Sequence, residues 1–156
     1  KAEFLRHPMN CIRFDLAAEY CDAIGARLPT EPEWELAARS PFPRANPWGG
    51  SSLGKACSDC LRLHGTTVPV MEFAALRSPN GLWLAVGNVW EVVDAILPEI
   101  ATARGATESI QLHVMRGGDW VDGASATARH VEVAGSKKLG FRCARDDRSG
   151  AVHSRH

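Results

Sequence analysis

The apolar pattern of this chain changes period near residue 40, and no other feature limits the fold as much. Before that point two segments carry helical spacing. In "DLAAEYCDAI", residues 15 to 24, Ala17, Tyr20, Cys21 and Ile24 recur on one face, with Asp15 as N-cap and Gly25 as the stop. In "TEPEWELAARS", Thr30 and Glu33 form a T-x-x-E capping box, each side chain taking an orphan backbone donor of the first turn. Pro32 is tolerated there because first-turn N–H groups lack intrahelical partners. Trp34, Ala37 and Ala38 would share the buried face, leaving Glu33 and Arg39 toward water. Beyond residue 40, Pro and Gly accumulate in "SPFPRANPWGGSSLG", predicting an irregular loop to about Gly65. "GLWLAVGNVWEVV", "LHVMRGG" and "GFRCAR" then read as short strands beside tight turns, with Phe141 and Cys143 alternating against Arg142. Two consecutive helices followed by short strands and long loops predict an α+β fold and argue against a βαβ sheet or a helical bundle.

A chain of 156 residues is expected to form one domain that buries roughly two-thirds of its unfolded surface. Its 18 basic and 18 acidic residues cancel, so no net field draws it to nucleic acid or an anionic membrane. No apolar run approaches the roughly 20 residues that span a bilayer, and no signal peptide is evident. Lys1 in place of Met reads as a piece of a longer protein, for which the cytoplasm is the favoured compartment. The five cysteines do not fix a redox setting. Cys11, Cys21 and Cys143 stand apart in sequence, and the C-x-x-C of Cys57 and Cys60 follows a Gly/Ser-rich stretch with no second pair to complete a zinc site.

Between "RGGDW" and "GFRC" lie mostly small or polar residues. Asp122, Ser125 and His130 are triad residue types, yet no nucleophile elbow surrounds Ser125. Asp122 could pair with Asp119 or Glu132 as acid and base, but nothing in the sequence would split their pKa values. A binding surface is the better expectation, because a loop anchored between strands can vary its side chains without unfolding the core. Trp120 would be the flat anchor, with Asp119, Asp122, Ser125, Arg129, His130 and Glu132 as its polar surroundings; the competing role for Trp120 is inward packing.

Taken in order, "RLPTEPEWELAARS", "PWG", "GNVWE", "RGGDW" and "GFRCAR" resemble the formylglycine-generating enzyme (sulfatase-modifying factor) family across nearly the whole chain. The lead-in "HPMNCIRFDLAAEYC" fits as well. The resemblance implies a C-type-lectin-like α+β fold over residues 1–146, with two helices, a short twisted antiparallel sheet and long structured loops, then a polar tail at 147–156. It also implies that the family's N-terminal part is missing, to be supplied by another segment or chain. In the oxidising members two cysteines after the Gly-Gly block bind copper. Those positions fall here at about Asp122 and Thr127, so thiolate ligands for Cu(I) are gone and that chemistry is not expected. Histidine-ligated iron relatives use a further helical domain, whereas the six histidines here are dispersed. The family's calcium site would map to the carbonyls of Gly87 and Val89 and the Glu91 carboxylate, with Leu84 replacing an oxygen ligand. Cys21 and Cys143 match positions that form a disulfide in some relatives. Variable proteins of diversity-generating retroelements, and modules attached to bacterial serine/threonine kinases, resemble the same subfamily. The implied function is a non-catalytic module that binds a protein or small molecule through residues 119–132. A divergent oxidoreductase completed by a missing segment is the alternative.

Overall fold

The computed structural model describes residues 2–39, 46–49, 59, 61, 63–97, 112–122, 125–132 and 138–146. Cys57, Cys60, most of the expected loop and the 147–156 tail lie outside the described residues. Two helices, α1 (Phe14–Ala23) and α2 (Glu31–Arg39), precede four strands, β1 (Trp90–Leu97), β2 (Leu112–Gly117), β3 (Ser125–Glu132) and β4 (Leu139–Phe141). The strand order is β3-β2-β1-β4. The architecture is α+β, as its sequence pattern predicts.

α1 begins one residue earlier than its sequence suggests, with Arg13 at the N-cap and no side-chain cap. Asp15 lies inside the first turn, where its carboxylate pairs with Arg13 and accepts the Leu16 N–H at 3.0 Å. Its negative charge still suits the helix N-terminus. The other end closes as foreseen. Gly25 takes φ +69°, its N–H bonds the Asp22 carbonyl at 2.8 Å, and the Ala26 N–H bonds the Cys21 carbonyl at 2.8 Å. This pair of bonds is a Schellman motif, in which glycine takes the left-handed conformation without a Cβ penalty. The buried residues are Phe14, Ala17 and Cys21, whereas the expected Tyr20 and Ile24 are 48% and 43% exposed. Phe14 sets the face by stacking on His113 of β2, and it lay outside the predicted helix.

The capping box of α2 forms as read. The Thr30 N–H donates to the Glu33 carboxylate at 2.8 Å and the Glu33 N–H reaches the Thr30 hydroxyl at 3.4 Å. Trp34 and Ala38 are buried, and Ala37 is half-buried.

Alternation along β1 and β2 sends neighbouring residues to opposite faces of the sheet. Val93 and Val114 meet Trp34 and Ala38 of α2, while Val92 and Met115 meet Phe14 and Ala17 of α1. The helices thus cover opposite faces. β1 pairs antiparallel with β2, and β2 antiparallel with β3. β4 runs parallel to β1, which corrects the expectation of a wholly antiparallel sheet. The turn before β1 is locked by Asn88, whose side-chain amide exchanges hydrogen bonds with the Val68 N–H at 2.9 Å and the Val68 carbonyl at 3.1 Å. Cys21 and Cys143 are joined by a disulfide that closes a sequence separation of 122 residues.

Two outcomes follow from this packing. Replacing both Cys21 and Cys143 by Ala should lower unfolding free energy by roughly 2–4 kcal/mol in urea titrations, since the bridge restrains a long loop of the unfolded chain. His113 should make stability pH-dependent. Burial holds its imidazole below the ordinary value of 6.5, with Asp15 opposing weakly. The unfolded state therefore binds the proton more readily. Its contribution is complete above about pH 6.5 and falls away as pH drops through the depressed value. The urea midpoint should fall between pH 7.5 and 5.5, and His113→Phe should flatten that slope.

Candidate binding site

The RGGDW block is a turn built from backbone freedom and one buried carboxylate. Gly117 and Gly118 adopt φ +96° and +80°. A Cβ at Gly117 would lie 2.7 Å from the Ala85 carbonyl oxygen and 3.1 Å from the Trp34 ring, so only glycine fits. Asp119 is 1% exposed. Its Oδ1 accepts the N–H groups of Val121 at 2.6 Å and Asp122 at 2.7 Å, and its Oδ2 faces Lys138 Nζ at 3.1 Å. Partial burial works against the Lys138 ammonium, but Asp119 and Asp122 together raise the Lys138 pKa. Asp119 therefore shapes the turn from within, and its burial leaves it almost no surface facing solvent.

The turn presents Trp120, half-buried, and Val121, 52% exposed. With Leu63 and Gly65 they line a shallow cleft of about 540 Å³. Asp122 accepts the indole N–H of Trp90 at 3.4 Å, and the His130 ring centroid lies 5.6 Å from that of Trp90. Asp122 and His130 thus flank one indole. Trp90 and Lys138, absent from the expected set, organise this end of the site.

The expected long loop is largely a strand. Residues 125–132 form β3 at the sheet edge, and only the turn at 118–122 and residues 123–124, which lie outside the described set, separate it from β2. In register, Arg116 faces Arg129 and Met115 faces His130, while Gly117 faces Ser125 across an irregularity that accommodates extra residues in β3. Alternation then divides the candidates. His130 lies on the α1 face beside Trp90, whereas Arg129 crosses to the α2 face and donates to Glu31 at 2.7 Å. There Arg116, 5.4 Å above the Trp34 ring, donates to Glu31 at 2.9 Å, Glu35 at 2.7 Å and the Ala126 carbonyl at 2.9 Å. Burial alone would raise the Glu31 carboxyl, but Arg129 and Arg116 hold it below the ordinary carboxylate range. Glu132 lies opposite His113, away from the turn. Ser125 shares a 2.9 Å hydrogen bond with Thr127. With Asp122 engaged by Trp90 and Ser125 by Thr127, the triad residue types form no relay.

The calcium set implied by resemblance does not fit. Glu91 is 4% exposed, and both its oxygens are taken by Arg142, at 2.5 Å each, with the Trp34 indole N–H at 2.6 Å. The Gly87 carbonyl accepts the Val89 N–H at 2.8 Å. A cation on Glu91 would have to displace the Arg142 guanidinium from both carboxylate oxygens. Among the described residues no group of three or more His, Cys, Asp or Glu side chains is arranged to hold a metal.

Residues 2–147 match the family described as the sulfatase-modifying factor enzyme 1-like domain. The chain belongs to that family. It is 33% identical over 166 residues to the inactive C-alpha-formylglycine-generating enzyme 2 of Bos taurus, covering 91% of this chain and 51% of that protein. It is 30% identical to the formylglycine-generating enzyme of Thermomonospora curvata, covering 90% of this chain and 56% of that protein. The chain therefore spans about half the length of the curated relatives it matches. Among solved structures, Treponema denticola variable protein 1 superposes with a TM-score of 0.54 at 25% identity, covering 74% of this chain and 46% of that one. The fold is that of the C-type-lectin-like members of this group. Asp122 and Thr127, near which the sequence resemblance would put the copper cysteines, are both exposed.

Two measurements test this geometry. Gly117→Ala should lose about 2–4 kcal/mol in urea unfolding, since it combines backbone strain with a backbone clash. Glu91→Gln should cost about 3 kcal/mol by leaving the Arg142 charge inadequately compensated, and millimolar CaCl₂ should not move the melting temperature of the wild type.

Proposed function

We propose that this domain is a non-catalytic protein-binding module on a formylglycine-generating-enzyme-like scaffold, reading its partner through the RGGDW turn and β3. The observation that carries the reading is the exposed turn of Trp120 and Val121 beside Asp122 and Thr127, near which the resemblance would put the copper-binding cysteines of the oxidising members. Oxygen groups hold Cu(I) poorly, so the retained geometry has no thiolate chemistry to serve. What remains is a surface with an apolar centre and a polar rim. Trp120 and Val121 supply the centre, and Asp122, Thr127 and His130 supply exposed polar groups. Such a composition suits a contact whose anchor is aromatic and whose rim is hydrated. Asp119 and Arg129 act beneath it by fixing the turn and docking β3 to α2. The similarity to a protein named as inactive supports the loss of turnover.

A second reading has its own support. The likeness to Treponema denticola variable protein 1 favours a diversified display surface, with residues between RGG and GFRC changed from copy to copy. β3 would suit that role, since edge-strand side chains can change while the ladder with β2 persists. Deep sequencing of the coding region across a source population would decide it: clustered variation over 119–132 beside a near-copy template supports diversification, and an invariant stretch rejects it.

For the principal reading, a photo-crosslinking amino acid at Thr127 of the full-length protein should yield a discrete partner adduct. Trp120→Ala and His130→Ala should each reduce that adduct at least fivefold, while Leu36→Ala, on α2, should not. Adducts insensitive to both substitutions would place the contact elsewhere.

A further inference from the structure

A cleft of about 520 Å³ lies between the start of α2 and the chain that follows β4, and no part of it belongs to the RGGDW turn. Pro29, Ala37 and Leu82 give it apolar walls. It adjoins a second cleft of about 590 Å³, with which it shares Arg27, Ala144, Arg145 and Asp146. The segment is held in place by the Cys21–Cys143 disulfide and by the paired backbone bonds of Arg27 with Ala144, at 2.9 and 2.7 Å.

Charges on the lining are unevenly satisfied. Both of its carboxylates, Glu33 and Asp146, are held by Arg27, at 2.7 and 2.5 Å. Arg142 commits Nε and Nη2 to Glu91, which fixes the plane of its guanidinium; Nη1 has no acceptor among the described residues. Arg145 donates from Nη2 to the Ile24 carbonyl at 2.7 Å and makes no ion pair among the described residues. Two guanidinium groups with open N–H edges therefore line one cleft with apolar walls. Guanidinium forks match carboxylate geometry, and a pre-fixed fork loses little freedom on binding.

We propose that this cleft binds a carboxylate with an apolar body. The carboxylate takes the open edges of Arg142 and Arg145, and the body lies against Pro29, Ala37 and Leu82. This site is independent of the proposed partner surface, and neither proposal depends on the other. A free small acid and the C-terminus of a polypeptide offer the same chemistry, so the test uses both. The full-length protein, with its disulfide intact, is titrated calorimetrically with 3-phenylpropionate, with acetyl-Ala-Ala-Leu bearing a free carboxylate, and with the same peptide amidated. At least one free acid should bind saturably, and the amide should bind at least tenfold more weakly than its acid. Binding of 3-phenylpropionate points to a small-molecule acid, and binding of the peptide acid alone points to a polypeptide C-terminus. Arg145→Gln, at an exposed position, should weaken binding about tenfold, and Ala37→Trp, which fills the cleft, should abolish it with melting temperature as the folding control. Absence of saturable binding by both acids, equal binding of the amide, or indifference to Arg145→Gln would overturn the proposal.

Discussion

The buried carboxylate of Glu91 is the constraint on which the rest of the structure depends. It sits on β1, takes the indole N–H of Trp34 from α2, and takes two N–H groups of Arg142 from the chain after β4. One side chain thus ties the second helix, the central strand and the C-terminal segment together. A buried ion pair is costly to desolvate, and it persists where every lone pair finds a donor. Here those donors come from elements remote in sequence, 57 and 51 residues away, so the pair specifies topology as much as it adds stability. The same arrangement explains why a cation has no place on Glu91. It also holds Arg142 in a fixed orientation at the wall of the cleft between α2 and the chain after β4.

From this hub the two faces of the sheet acquire different tasks. The α2 face is sealed by Trp34 and by the Arg116, Arg129, Glu31 and Glu35 network, which consumes its charges internally. The α1 face ends in the RGGDW turn, where Asp119 satisfies two backbone donors and leaves Trp120, Val121 and Asp122 toward solvent. A rigid support with a variable rim is the condition under which side chains can be exchanged for contact without loss of the fold. Asp122 and Thr127 occupy that rim.

Much of the fold was legible because local chemistry dictated it. The Thr30 and Glu33 box and the Gly25 stop are short-range signals that tertiary packing did not override. β3 was not legible. "SATARHVE" lacks clean alternation because its strand lies at an edge and an irregularity changes which face each residue meets, so small and polar residues read as loop. The parallel pairing of β4 was hidden for a different reason, since three residues carry no signal of direction. In the candidate site, Trp120, Asp122 and His130 stand out in the sequence by residue type, and the structure brings Asp122 and His130 to the same indole of Trp90. The division of Arg129 from His130, and the burial of Asp119, required register and a partner at Lys138 that spacing alone does not reveal. Arg142 did leave a trace: it alternates against Phe141 and Cys143, and its role as the partner of Glu91 emerged once the strands were paired.

The central claim is that this scaffold keeps the family's geometry and has exchanged thiolate chemistry for contact. The most direct measurement is oxygen consumption by the full-length protein supplied with Cu(I) and a cysteine-containing peptide, alongside a Cu(I) affinity titration against a competing chelator. The account predicts no peptide-dependent oxygen uptake above the protein-free control and no Cu(I) binding that responds to Asp122→Ala or Thr127→Ala. Turnover of the peptide thiol, with Cu(I) affinity lost in those variants, would contradict it and return the domain to the oxidising enzymes.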